Sequence, residues 1–150
     1  MHGNGTEDAG FWAPLGRGGL SSWIFSTDHK RIGLLYLALI LAMFAAAAVI
    51  GVVLRLKLMT PGNTLLGPQT YNALFTLHGV IMIFLVVIPS IPASFGNIIM
   101  PLQIGANDVS FPRLNLFSWW LYVLGAVLAL VSIFTGSGAP DTGWTFSVPF

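Results

Sequence analysis

The chain has 150 residues, of which 55% are hydrophobic and only 7% charged, with a formal net charge of +1 and a mean hydropathy of +0.83. Soluble domains carry roughly 25% charged residues, so this composition describes an integral membrane protein. No cysteine is present, which excludes disulfides, thiolate metal sites and cysteine nucleophiles. The six basic residues form no cluster that suggests nucleic acid.

In chain order, residues 1–32 read as a Gly-rich polar tail, too long a lead for a cleavable signal peptide. Ser26, Thr27 and Asp28 supply capping oxygens for the free amides of a first helix, and Lys30 and Arg31 anchor its end. Three apolar windows, 33–54, 73–99 and 114–134, are each long enough to span the hydrocarbon core, which takes about 20 residues. The first contains Ala45 to Ala48 and Gly51, small residues that let helices approach closely. Pro61, Gly62 and Asn63 mark a turn before the second window. Pro89 and Pro92 interrupt that window, with Ser90 and Ser94 available to satisfy the carbonyls they free. A loop from 101 to 112 holds Asp108, and Pro112 suits the first turn of the third span. Trp119, Trp120 and Tyr122 lie about two turns into it, deeper than interfacial anchors sit comfortably. Residues 135–150 form an outer loop. The stretch from Trp144 to Phe150 carries neither a charged tail nor a finished element, as expected for part of a larger polypeptide. Arg17, Lys30, Arg31 and Arg113 on one side, against Arg55 and Lys57 on the other, favour a cytoplasmic N-terminus.

His78 is the feature that composition cannot explain. It stands about five residues inside the second window, in the run Thr76-Leu77-His78-Gly79-Val80-Ile81-Met82. An ionisable group within a span is costly and is by default a functional candidate. Imidazole is the commonest metal ligand and serves haem iron. Met82 and Val86 follow on its helix face, and Gly79 leaves space for a flat macrocycle. The bland alternative is a histidine hydrogen-bonded to a backbone carbonyl of a neighbouring helix. Arg55, on the same side, either holds a carboxylate or ring carbonyl or snorkels as an interfacial anchor. The 30 residues from His78 to Asp108 (108 − 78) would cover about 45 Å as helix, so these two belong to opposite faces. Asn97 and Asn115 bracket Asp108. Neutral amides both donate and accept, so they can order a file of water without trapping a proton, with a carboxylate collecting protons at its mouth. The alternative is a solvated loop aspartate between two helix-end asparagines.

Five segments together resemble subunit I of the haem–copper terminal oxidases, in its A-type, cytochrome c oxidase form. They are Ser26 to Gly33, Thr76 to Met82, Phe95-Gly96-Asn97-Ile98-Ile99-Met100-Pro101, Ile104 to Val109, and Phe111-Pro112-Arg113-Leu114-Asn115. The resemblance implies an all-α integral membrane protein, three transmembrane helices of a larger bundle of about twelve. It implies His78 as an axial ligand of low-spin haem a iron, Arg55 on the haem formyl group, and Tyr71, Met82 and Trp144 as haem contacts. It implies Asp108 as the mouth of a proton pathway whose lower part Asn97 and Asn115 line. A second, high-spin haem and the copper would bind beyond residue 150, so no catalytic residue is expected here. The implied setting is a bacterial inner membrane, with oxidase subunits II and III as partners. Dioxygen and protons would be the substrates, and proton pumping the coupled output. Quinol-oxidising relatives carry an arginine and an aspartate where Ala46 and Ile50 stand here, which favours cytochrome c over quinol as donor. Lys57 occupies the place of a glutamate that helps hold a cation in many relatives, so that cation site is expected to be absent. A quinol oxidase, or a helical transporter or assembly subunit with His78 merely packed, are the competing readings.

Overall fold

The structure is a computed structural model that describes residues 19–59, 65–132, 135, 143 and 145. A short helix, α1 (Gly19–Ile24), precedes α2 (His29–Met59). Asp28 caps α2: its Oδ1 accepts the Lys30 amide at 3.0 Å, and Ser26 Oγ accepts the Asp28 amide at 3.2 Å. These bonds serve first-turn donors that no helical carbonyl can reach. At 31 residues α2 is about 46 Å long, longer than the hydrocarbon core, so its charged ends reach the headgroup layers.

The second span runs over Pro68–Ile104. It begins as α3 (Pro68–Val80), passes through two π-helical stretches, Ile81–Val87 and Ser90–Phe95, and ends as α4 (Gly96–Ile104). Gly105, at φ 69°, terminates it in the left-handed region that favours glycine. The prolines therefore do not interrupt this span. The helix widens around them, with the Ile88 amide reaching the Ile83 carbonyl and the Gly96 amide reaching Ile91, five residues back. Pro89 has no amide for the Leu85 carbonyl, and the Tyr122 hydroxyl donates to that oxygen from the third span. Ser90 Oγ donates locally, to Val87 O at 2.8 Å. Ser94 does not. It is fully buried and donates across to Gly33 O of α2 at 3.3 Å.

The third span, α5 (Pro112–Val131), starts with proline in its first turn. All three long helices are apolar enough to cross a membrane, and the architecture is all-helical, with no strand among the described residues. α2 and the second span extend beyond both ends of their apolar windows because polar and proline-bearing turns continue the same backbone, whereas α5 starts before its window at Pro112 and ends within it at Val131. The Pro61 turn lies outside the described residues.

The core forms where α2 meets the second span. Ile32, Tyr36, Ile40, Met43, Ala47, Ile50 and Leu54 recur every three or four residues along one face of α2. Met43, Ala47, Ile50 and Leu54 pack with Leu77, Ile81 and Leu85 and with Ala126 of α5, while Ile32, Tyr36 and Ile40 form a second cluster against Val86, Ala93, Leu116, Trp119 and Tyr122. Of the small stretch only Ala47 is buried, while Ala45 and Ala48 are exposed. Gly33 is the closest crossing: a Cβ there would lie 2.8 Å from Ile98 Cγ1 and 3.2 Å from the Ser94 carbonyl oxygen. Large apolar side chains such as Leu41, Val49, Leu124 and Leu128 are exposed around the outside. A bilayer or further helices must cover them, since water would not tolerate so large an apolar surface.

Candidate functional site

Two polar places interrupt this apolar body, one toward each end of α2. At the first, His78 Nδ1 lies 2.9 Å from the Ala47 carbonyl oxygen. A carbonyl only accepts, so Nδ1 carries the ring proton and Nε2 keeps its lone pair. The ring lies against Gly51, where a Cβ would stand 3.2 Å from Cε1 and 3.9 Å from Nε2. The two readings of this histidine are thus compatible, because the backbone bond and a metal would engage different nitrogens. Because the helix begins at Pro68, His78 is ten residues from its start, about 15 Å along the axis.

Ala47, Gly51 and Arg55 follow at four-residue steps and share a face of α2, so exposed Arg55 lies one turn beyond the histidine contact. Tyr71, Met82 and Val86 are partly buried against the main core, and Tyr71 stacks on Phe75 with centroids 6.4 Å apart. Trp144 lies outside the described residues. Its neighbour Gly143 donates its amide to Thr76 Oγ1 at 2.9 Å, two residues before His78. Among the described residues no group of three or more His, Asp or Glu side chains is arranged to hold a metal ion. A lone imidazole suits iron whose other ligands come from a macrocycle, and the Nδ1–carbonyl bond is the support that metal-bound histidines usually have.

At the other end, Asp108 is held by a residue that sequence reasoning assigned no role. His29 Nδ1 donates to Asp108 Oδ1 at 2.8 Å, and the same oxygen accepts the Val109 amide at 2.7 Å. His29 is only 4% exposed, while the Asp108 side chain is 44% exposed, so the carboxylate faces out and its partner faces in. Asn97 and Asn115 do not bond the carboxylate. They bond each other, Asn115 Nδ2 to Asn97 Oδ1 at 2.6 Å, and Asn97 Nδ2 donates to Ala93 O at 2.6 Å. Beside them is a cavity of about 380 Å³ with an apolar wall of Val109, Phe111 and Leu114 and with Asn97, Ser110, Asn115 and Ser118 as its polar groups. That volume and those polar groups suit several waters. Ser118 Oγ donates to Asn115 O at 2.7 Å, so the Tyr36 hydroxyl, 3.0 Å away, is the donor to Ser118.

The aromatics deep in the third span also acquire reasons. Tyr122 serves the carbonyl opened by Pro89, and Trp119 packs on Tyr36 with centroids 6.1 Å apart. A histidine beside the capping Asp28 was the one available signal for His29; its partner, 79 residues on, left none.

Comparison with known proteins identifies the family. Residues 31–150 match the family described as Cytochrome C and Quinol oxidase polypeptide I. A "Probable cytochrome c oxidase subunit 1-alpha" of Streptomyces avermitilis is 45% identical over 122 residues, 81% of this chain and 21% of that protein. A "Heme-copper oxidase subunit I+III" of Aeropyrum pernix is 45% identical over 129 residues, 85% of this chain and 16% of that one. The "Cytochrome c oxidase subunit 1" of Corynebacterium efficiens is 40% identical over 135 residues, 89% and 23% respectively. The chain therefore spans about a fifth of the length of these relatives.

Proposed function

This chain belongs to the cytochrome c and quinol oxidase polypeptide I family, and from that membership we propose that it forms the N-terminal part of a haem–copper oxidase subunit I. The whole protein reduces dioxygen to water with electrons from cytochrome c and couples this to proton translocation. In this reading His78 binds low-spin haem a iron through Nε2, and the haem supplies one-electron transfer when bound.

The residues of this chain do the rest at that end. The Nδ1–Ala47 bond fixes the ring plane and tautomer and raises the basicity of Nε2. Gly51 leaves the ring its space. Arg55, one turn on, offers a planar fork of donors to a haem oxygen. Tyr71, Met82 and Trp144 would contact the macrocycle. The high-spin haem and the copper would bind residues beyond 150, and subunits II and III are the partners of the whole protein.

Asp108 takes up protons at the inner face. His29 holds one carboxylate oxygen and leaves the carboxylate open to water. Asn97 and Asn115 order the waters of the adjoining cavity, and neither can ionise, so no proton is trapped there. Ser118 and Tyr36 extend the polar line along α2. Lys30, Arg31 and Arg113 at this end, against Arg55 and Lys57 at the other, orient it to the cytoplasm of a bacterial inner membrane. Ala46 and Ile50 cannot hydrogen-bond a quinone head, which supports cytochrome c as donor. Lys57 replaces the charge of the cation that relatives hold nearby.

The observation that carries this reading is the family match over residues 31–150, with His78 held so that its Nδ1–Ala47 bond leaves Nε2 for a metal. The test is the reduced-minus-oxidised absorption spectrum of the assembled complex carrying His78→Ala. Loss of the low-spin haem band with the high-spin haem and copper retained is expected; an unchanged spectrum would refute it.

A further inference from the structure

We propose that the groove at the start of α5 binds an anionic phospholipid, with its phosphate on Arg113 and an acyl chain on Phe111, Leu114 and Phe117. The groove has a volume of about 700 Å³ and is lined by Ser110, Phe111, Pro112, Arg113, Leu114 and Phe117. Water alone would need more than twenty molecules, at about 30 Å³ each, to fill it. They would face four apolar side chains and only two polar ones. Phe111, Leu114 and Phe117 are 72%, 62% and 57% exposed, a wall that a hydrocarbon chain covers without loss.

Arg113 supplies the polar end. It stands in the first turn of a membrane span, where hydrocarbon gives way to headgroups, and it is exposed. Among the described residues no ion pair engages it. The two described carboxylates are committed elsewhere, Asp28 near Arg31 and Asp108 to His29. A guanidinium is a planar fork that matches phosphate oxygens two at a time. Lys30 and Arg31 lie at the same end of the bundle, so an anionic lipid is preferred there to a zwitterionic one. A protein helix laid in the groove would need a carboxylate of its own to meet Arg113, whereas the lipid brings charge and chain together.

The position gives the lipid a consequence. Ser110, Phe111 and Leu114 line both this groove and the cavity beside Asn97 and Asn115. A lipid seated here closes the wall between that cavity and the bilayer.

The test uses the assembled complex, washed exhaustively in detergent, with retained phospholipid measured by mass spectrometry. The wild type should keep an anionic phospholipid that Arg113→Gln releases about fivefold more readily, with the haem spectrum of the variant unchanged. Arg113→Lys should recover part of the retention. Added phosphatidylglycerol should refill the stripped site, phosphatidylcholine should not, and inorganic phosphate should fail to displace the lipid. A photoactivatable phenylalanine analogue at position 117 should cross-link to lipid. Equal retention in wild type and Arg113→Gln, displacement by inorganic phosphate, or cross-linking of position 117 to a polypeptide would each overturn the proposal.

Discussion

Gly33 and Gly51 lie 18 residues apart (51 − 33), five α-helical turns, and so share one face of α2. Each meets the second span at close range, yet the two contacts differ in kind. At Gly51 a single imidazole sits in apolar surroundings, fixed by one bond to a main-chain oxygen. At Gly33 the neighbours are Ser94, Asn97 and Ile98, and the polar groups belong to a network that includes Asn115 and continues beside Ser118 and Tyr36. A group held by one bond fails all at once when its support is moved. A network spreads the loss over several partners.

The largest effect should therefore come from Gly51→Leu. Even a Cβ there reaches 3.2 Å from His78 Cε1, and the longer side chain would drive the ring from its seat. Most of the low-spin haem absorbance should vanish, whereas Ala48→Leu on the exposed side of the same helix should retain it. Equal spectra would mean that the ring is not held as described.

At the other end, Asp108→Asn keeps an oxygen for His29 but cannot carry a proton. Proton uptake by the complex in vesicles should slow by on the order of tenfold or more, with haem bands intact. Wild-type uptake would remove the carboxylate from the pathway. His29→Gln keeps a donor near Asp108 and should slow uptake less than Asp108→Asn does. A larger defect than that of Asp108→Asn would show that His29 does more than position the carboxylate.

Smallest are the losses of single bonds. Tyr122→Phe removes the donor to the Leu85 carbonyl left open by Pro89 and should cost about 1 kcal/mol, measured by denaturant unfolding of the complex in detergent. Ser94→Ala removes a longer bond, 3.3 Å to Gly33 O, and should cost about 0.5 kcal/mol in the same assay. The reverse order would reassign which contact braces the π-helical stretch.

The same contrast explains what could be read from the residues alone. His78 was legible because a lone ionisable group in an apolar run is costly wherever the chain places it. Three apolar runs and the Asp28 cap were legible because they are local. The continuity of the second span was not: proline removes a donor, but whether the helix breaks or widens depends on what serves the orphaned carbonyl. Here that group is Tyr122, 37 residues on. The pairing of His29 with Asp108 was hidden for the same reason, since sequence gives each residue's chemistry but not its distant partner. The bond between Asn97 and Asn115 was likewise hidden, since it joins residues 18 apart on two different helices.

The central claim is that His78 offers Nε2 to iron while Nδ1 donates to Ala47. Electron–nuclear resonance on the oxidised complex, with histidine labelled by ¹⁵N, measures this directly. A strongly coupled nitrogen on the low-spin centre, lost in His78→Ala along with one exchangeable ring proton, is the predicted result. If every coupled nitrogen persists in that variant, His78 is a packing residue and the haem is held elsewhere.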